Sequence, residues 1–499
     1  MQSTTGGSVS RGPILARVGL VVTVLAVLGV GVFAVSRALS GPTGADTPEE
    51  AAAQLFVALD NEDPLGVAEI ALPGERESIL EPGTDLIIEL ARLDFLDESA
   101  VEDDEVQNIT GLEIDVPAEG EPGALTFEVV EQPGSEGRLH WVTVTDGVIT
   151  TTFDPTIFQD ALGEQASLYA DPDPGGIETE TIDLGEEYEF GTPLEFAVVE
   201  QDGSYYVSFW YTVAGFANGF EPPILSQALQ PVGAESAEQA AVQLLENVIG
   251  LDAAGTLSMM DPVEFGAAYD YWASYGPDLS RSWDDSRLTA AAEGVTWEVV
   301  SAEASSSSRN GRQVATFDQV VLRIVGTEAP NDFDVTIDLS GDGISIDGTI
   351  QGEPLSIIVN STRAAGSGVL DGEAFEFEFD FDTLEGSGFI GQDRLSSRRE
   401  GDCVIVESSE SIDTLCEEDL GIGTAEALDL PGDYLDLYAD VVAPGLTVVE
   451  RDGRWYVSGM PTILYAYVDF LKAVDEEELQ QFLERYEEVL DAELGEFEF

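Results

Sequence analysis

Two stretches of this sequence occur twice, in the same order. Thr47-Pro48-Glu49-Glu50-Ala51-Ala52-Ala53-Gln54-Leu55 returns as Ser236-Ala237-Glu238-Gln239-Ala240-Ala241-Val242-Gln243-Leu244. This shift of 189 positions also places Asp63 on Asp252, Gly66 on Gly255, Pro73 on Pro262 and Glu75 on Glu264. Val198-Val199-Glu200-Gln201-Asp202-Gly203 returns as Val448-Val449-Glu450-Arg451-Asp452-Gly453, and Tyr205-Tyr206-Val207-Ser208 as Trp455-Tyr456-Val457-Ser458, a shift of 250. Each unit opens and closes alike, and the second holds 61 more residues in between. Self-similarity of this kind sets a tandem architecture before any local reading does. It names no biochemical partner.

With 499 residues, two domains plus appendages are expected, and an apolar fraction of 43% is ample for folding. Charge is the outlier: 98 Asp and Glu stand against 19 Lys and Arg. The first 40 residues hold Arg11, Arg17 and Arg37 and no acid, so the remaining chain carries an excess of 82 negative charges. Such a surface repels a polyanion, which excludes nucleic acid as a partner. Loosely held cations are its expected company. A halophilic habitat and an ordinary acidic extracytoplasmic protein both account for the composition.

Val18 to Ser36 is free of charge and rich in Val, Leu, Gly and Ala. As a helix it spans roughly 28 Å, about one bilayer core. With Arg11 and Arg17 before it and acids after it, the positive-inside rule predicts a single-pass anchor in the cell membrane, amino terminus cytoplasmic and bulk extracellular. A cleaved signal is the rival reading, but its apolar core is usually shorter. The expected organisation is a cytoplasmic segment 1–17, a transmembrane helix 18–38, a linker 39–46, a first domain 47–217, a linker 218–235, a second domain 236–470 and an acidic helix 471–499.

Thr47 with Glu50, and Ser236 with Gln239, read as capping boxes at the start of an amphipathic helix. Asp63 with Gly66, and Asp252 with Gly255, read as turns into a second helix ending near Pro73 or Pro262. A further helix is expected near Thr84 to Leu96. Strands are expected at Leu125 to Val130, Leu139 to Val144, Gly147 to Thr152, Ala197 to Glu200, Tyr205 to Trp210, Thr296 to Val300, Gln319 to Val325, Asp334 to Leu339, Leu355 to Val359 and Phe375 to Phe381. Asp202-Gly203 is a hairpin signal. Gly341 to Gly352, Ser305 to Arg312 and Asp171 to Gly176 read as loops by composition, and Ile463 to Glu493 as one or two helices.

A capped opening helix, an Asp-x-x-Gly turn into a second helix, and a closing Val-Val-Glu-x-Asp-Gly strand pair, all found twice, resemble the nuclear transport factor 2-like superfamily, and more narrowly its membrane-anchored bacterial members. The resemblance rests on 47–75 with 195–208 and 236–264 with 445–458. It implies an α+β fold: two tandem cone-like domains, each with amino-terminal helices packed on a curved antiparallel sheet around a cavity. Cones of this kind serve both enzymes and binding modules.

His140, the only histidine, lies in an alternating strand and reads as a sheet residue more readily than as a general base. Asp63 and Asp252 read as helix caps, and Glu200 and Glu450 as solvated residues at hairpins. Asp338, Asp342 and Asp347, and Asp171 with Asp173, have oxygen chemistry suited to calcium but do not fit the twelve-residue loop. Arg394, Arg398 and Arg399 form the one local basic patch. Cys403 and Cys416 are expected as a disulfide in an oxidising compartment. Zinc would need two more nitrogen or sulfur ligands. No catalytic residue, cofactor or metal is expected. Tyr205, Tyr206, Trp455 and Tyr456 stand as core or ligand-contacting aromatics.

The expected function is a non-enzymatic extracytoplasmic binding or scaffolding module with a protein partner at the cell envelope. The alternatives are an assembly component of a secretion or conjugation apparatus, and an isomerase or hydrolase using a cavity carboxylate.

Overall fold

The structure, a computed structural model, describes residues 44–97, 101–102, 105–106, 111–163, 176–189, 193–292, 294–328, 331–341, 343–370, 372–380, 383, 385–400, 403–408, 412–416 and 445–474. It divides into two compact units: 1–228 with Val263–Tyr271, and Leu229–Pro262 with 272–499. In this division 263–271 falls with the first unit.

In the first unit, α1 (Pro48–Asp60) starts at Thr47, whose side chain accepts from Glu50 N at 3.1 Å. α2 (Pro64–Ile70) follows, and a short turn at Pro73–Glu75 leads through 76–80 into α3 (Glu81–Arg92). The strands are β1 (Val101–Glu102), β2 (Glu105–Val106), β3 (Leu112–Asp115), β4 (Thr126–Glu131), β5 (Leu139–Asp146), β6 (Val148–Phe153), β7 (Glu178–Asp183), β8 (Leu194–Gln201) and β9 (Ser204–Ser208). Between them lie α4 (Pro155–Asp160) and α5 (Leu184–Glu189), and α6 (Phe209–Ala217) closes the unit. The strands form an antiparallel sheet β4-β5-β8-β9, a smaller one β3-β6-β7 and the ribbon β1-β2. The apolar stripe Ala52, Leu55, Phe56 and Leu59 of α1 is buried, and Phe56 meets Phe196 edge-on at 5.5 Å. At about 25 cal/mol per Å² of apolar area, that stripe contributes to a core shared with Val142, Val144, Ile149 and Val198.

The second unit repeats this core. α7 (Ala237–Ile249) is capped by Ser236, and α8 (Ala253–Ser258) follows it. After α9 (Trp272–Ala292) come β10 (Val295–Arg309) and β11 (Arg312–Glu328). β21 (Leu446–Arg451) and β22 (Arg454–Val457) continue the order β10-β11-β21-β22, matching β4-β5-β8-β9. The match extends to isolated bridges: Ala45 with Tyr205 and Ala71 with Val207 recur as Ala234 with Trp455 and Met260 with Val457, at the sequence shifts of 189 and 250. α10 (Gly459–Ala473) is the counterpart of α6. Thr212 receives Ala197 N at 3.0 Å, and Thr462 receives Thr447 N at 2.9 Å.

Between β11 and β21 runs a meander with no counterpart among the described residues of the first unit: β12 (Asn331–Ser340), β13 (Gly343–Ile350), β14 (Glu353–Val359), β15 (Arg363–Leu370), β16 (Glu373–Asp380), β17 (Glu385–Ile390), β18 (Asp393–Glu400), β19 (Cys403–Ser408) and β20 (Ile412–Cys416). Each strand pairs antiparallel with the next, giving one thirteen-stranded sheet. Among the described residues, no side chain from 331 to 416 is fully buried.

These findings correct several expectations. The fold is not a pair of helix-over-sheet cones. The first unit splits its strands among separate sheets, and the second extends one sheet far past the strands its helices cover. The extra residues form sequential hairpins, which add strands at an edge rather than wrap a cavity. Gly341 to Gly352 is not a loop but mostly β13, and Ser305 to Arg309 lies in β10, with only Asn310-Gly311 turning. In both, Ser and Gly occupy strand positions, held there by the pairing of β10 and β13 with their neighbours. No helix among the described residues is long and apolar enough to cross a membrane, and 18–38 lies outside them, so the single-pass membrane placement is not upheld. The carboxy-terminal helix is described only to Ala473, and 475–499 also lies outside.

Candidate functional site

The turn aspartates are structural. Asp63 accepts from Gly66 N at 3.0 Å and Asp252 from Gly255 N at 2.9 Å, each holding the first turn of a helix. His140 lies 2.8 Å from the Gly137 carbonyl through Nε2 and meets the Tyr205 ring edge-on at 5.5 Å. It sits opposite Val198 in β5, and the repeat aligns it with Gln313, opposite Val448. Glu200 accepts from Gly203 N at 2.7 Å in the hairpin turn.

The recurring aromatics belong to the scaffold. Tyr206 and Tyr456 are buried, and each lies against a glycine with positive φ, Gly44 at 50° and Gly233 at 58°. A Cβ at either glycine would stand 2.7 Å from the tyrosine ring. Tyr205 and Trp455 pack against the cores of their units.

Two polar clusters escaped the sequence reading. Glu75 is fully buried; it accepts from the Ser208 hydroxyl, from Phe209 N at 2.6 Å and from Trp210 N at 3.2 Å. Burial pushes its carboxyl up to about 7, against the downward pull of those three donors. The recurrence of Glu75 as Glu264, also buried, was the available signal. Second, Asp270 receives Tyr211 Oη at 2.5 Å and Arg138 Nη2 at 2.6 Å, while Arg138 Nη1 reaches Tyr211 Oη at 3.1 Å. Burial followed by the Asp270 charge raises the Tyr211 hydroxyl above its ordinary value. Every group in this cluster is engaged, so it fastens the short helix Gly266–Asp270 to α6 rather than offering a free base.

The meander places unlike chemistry on its two faces. One carries Asp334, Asp338, Asp347, Glu376 and Glu378, tied into ladders: Arg323 binds Asp334 through two bonds of 2.8 and 2.7 Å, Gln319 reaches Asp338 at 2.7 Å, and Ser356 reaches Asp347 at 2.7 Å. The carboxylates suggested for calcium are thus spread along strands, and Asp171, Asp173 and Asp342 lie outside the described residues. Among the described residues no acid, histidine or cysteine cluster could hold a metal. The basic patch is divided by the pleat: Arg394 and Arg398 share the acidic face, and Arg399 alternates to the other. Cys403 stands opposite Cys416 in the β19–β20 register, and no described cysteine is free.

The other face is apolar. Across the strands, Phe333, Val335, Ile337 and Leu339 oppose Ile350, Gly348, Ile346 and Ile344, which in turn oppose β14 through Leu355, Ile357 and Val359. Phe375, Phe377 and Phe379 of β16 continue it, opposed by Gly368, Gly366 and Ala364 of β15 and by Ile390, Gly388 and Gly386 of β17. Leu339, Ile344, Val359 and Ile390 are 37% to 52% exposed. Comparison of the chain with protein-family models, with curated proteins and with solved structures found no match to any of them.

Proposed function

We propose that the chain is a non-catalytic binding or scaffolding protein whose working surface is the apolar face of the β12–β17 meander. The observation that carries this reading is that a chain with 98 acids keeps the middle rows of this face uncharged, with Glu353 and Glu373 at its hairpin end, and that among the described residues no layer covers it. Sheets with one apolar face ordinarily bury it against another element, and exposed apolar patches of this kind mark association sites. Catalysis has less support: Asp63, Asp252, Glu75 and His140 are each engaged in holding backbone or a helix end.

The test is binding of an environment-sensitive apolar dye to the native chain at high dilution. Ile346→Lys and Phe377→Lys should each remove most of the signal with the circular dichroism spectrum unchanged. Dye binding that is absent in a monomeric native chain, or indifferent to both substitutions, overturns the reading.

A further inference from the structure

The apolar face reads as one uncharged row from strand to strand: Ile337 opposes Ile346, Ile346 opposes Ile357, Ile357 opposes Gly366, Gly366 opposes Phe377, and Phe377 opposes Gly388. Glu353 and Glu373 stand at the hairpin end of this face, opposite Ile350 and Leu370, so its middle offers no charge for a partner to recognise. Size narrows the choice further. Strands about 4.8 Å apart with a rise of about 3.4 Å per residue give six strands of seven residues a footprint of roughly 700 Å², close to the roughly 800 Å² that each partner contributes to a stable interface. A helix presents only a narrow apolar stripe and would leave most of this width uncovered. Another twisted sheet covers it, since two sheets pack face to face about 10 Å apart with strands within about 30°.

We propose that the occupant is a second copy of this chain, the two meanders packing sheet on sheet about a two-fold axis. The inference rests on the reading of this face as an association surface. A two-fold arrangement sets the same patch against itself, so the second copy supplies a surface of the required size, twist and apolarity. The acid-rich reverse face then stays in solvent, and its repulsion stops assembly at two layers rather than allowing stacks.

The experiment is the mass of the full chain by light scattering and sedimentation equilibrium over a concentration series at about 1 M NaCl, where charge repulsion is screened. The wild type is expected to reach dimer mass. Ile346→Lys and Phe377→Lys should return it to monomer mass with unchanged circular dichroism, and Ile358→Lys, on the reverse face, should leave the dimer intact. If either lysine variant fails to fold, Ile346→Thr should weaken the dimer measurably. A wild type that stays monomeric at every soluble concentration overturns self-association. If that monomer still binds the dye in a manner sensitive to Ile346→Lys, only self-association falls, and the face serves a different protein. If it binds no dye, both readings fall together.

Discussion

Glu75 accepts a hydrogen bond from the Ser208 hydroxyl inside the first unit, and the same carboxylate takes the backbone N–H groups of Phe209 and Trp210 at the start of α6. The side chain thereby ties the turn at Pro73–Glu75 to the helix that follows the closing strand. Because burial lifts the folded carboxyl to about 7 from 4.5, the folded state holds a proton that the unfolded chain has lost over that interval. Stability from this group is then fullest below about pH 4.5 and falls as pH rises to about 7. The shift corresponds to about 3 kcal/mol. Denaturant titrations of wild type and Glu75→Gln between pH 4 and 8 should diverge in that direction, with the variant the flatter of the two. Parallel curves would mean that folding leaves the Glu75 carboxyl at its ordinary value.

Asp63 and Asp252 make equivalent bonds of 3.0 and 2.9 Å in separate units. Replacing either by alanine should cost about 1 kcal/mol, and the double replacement should cost their sum, because sites without shared partners add. Chemical denaturation of the three variants measures this. A cost well above additivity would indicate that the units do not unfold independently.

The sequence disclosed the duplication and most strands, because capping residues and period-two alternation are local signals. The hairpin turns were equally plain: Asp202-Gly203 and Asp452-Gly453 both take positive φ. Which strands share a sheet was not legible, since hydrogen-bond partners are chosen by long-range packing. The Phe375, Phe377, Phe379 alternation sets three rings on one face of β16, but sequence alone does not tell whether another element covers them, and all three remain partly exposed. The recurrence of Glu75 as Glu264 was the one sequence signal of its burial, whereas the Arg138–Asp270 pair left none, because 132 positions separate its members.

Net charge sets a salt dependence. Most of the 98 acids have no cation to pair with, since only 19 Lys and Arg exist, and the Debye length falls from about 10 Å at 0.1 M to about 3 Å at 1 M. The melting temperature should therefore rise across that range. The exposed Arg323–Asp334 pair works the other way but contributes little, as such surface pairs generally do. A melting temperature that falls with NaCl would show that specific ion pairs outweigh the general repulsion.

The Phe377 ring lies over Gly366 of the neighbouring strand. A Cβ at Gly366 would stand 2.5 Å from Cε1 of that ring and 3.3 Å from Ile357. An alanine in a strand ordinarily gains roughly 0.5 to 1 kcal/mol over glycine, while overpacking costs about 1 to 3 kcal/mol. Overpacking wins, so Gly366→Ala should destabilise the second unit by about 1 kcal/mol. The ring is the obstacle, and removing it should reverse the sign. In a Phe377→Leu background, itself weaker because the glycine backbone loses its cover, Gly366→Ala should be neutral or stabilising. A double-mutant cycle on these two positions reads the coupling directly. If Gly366→Ala stabilises the wild type as much as the Phe377→Leu variant, the ring does not rest on that glycine.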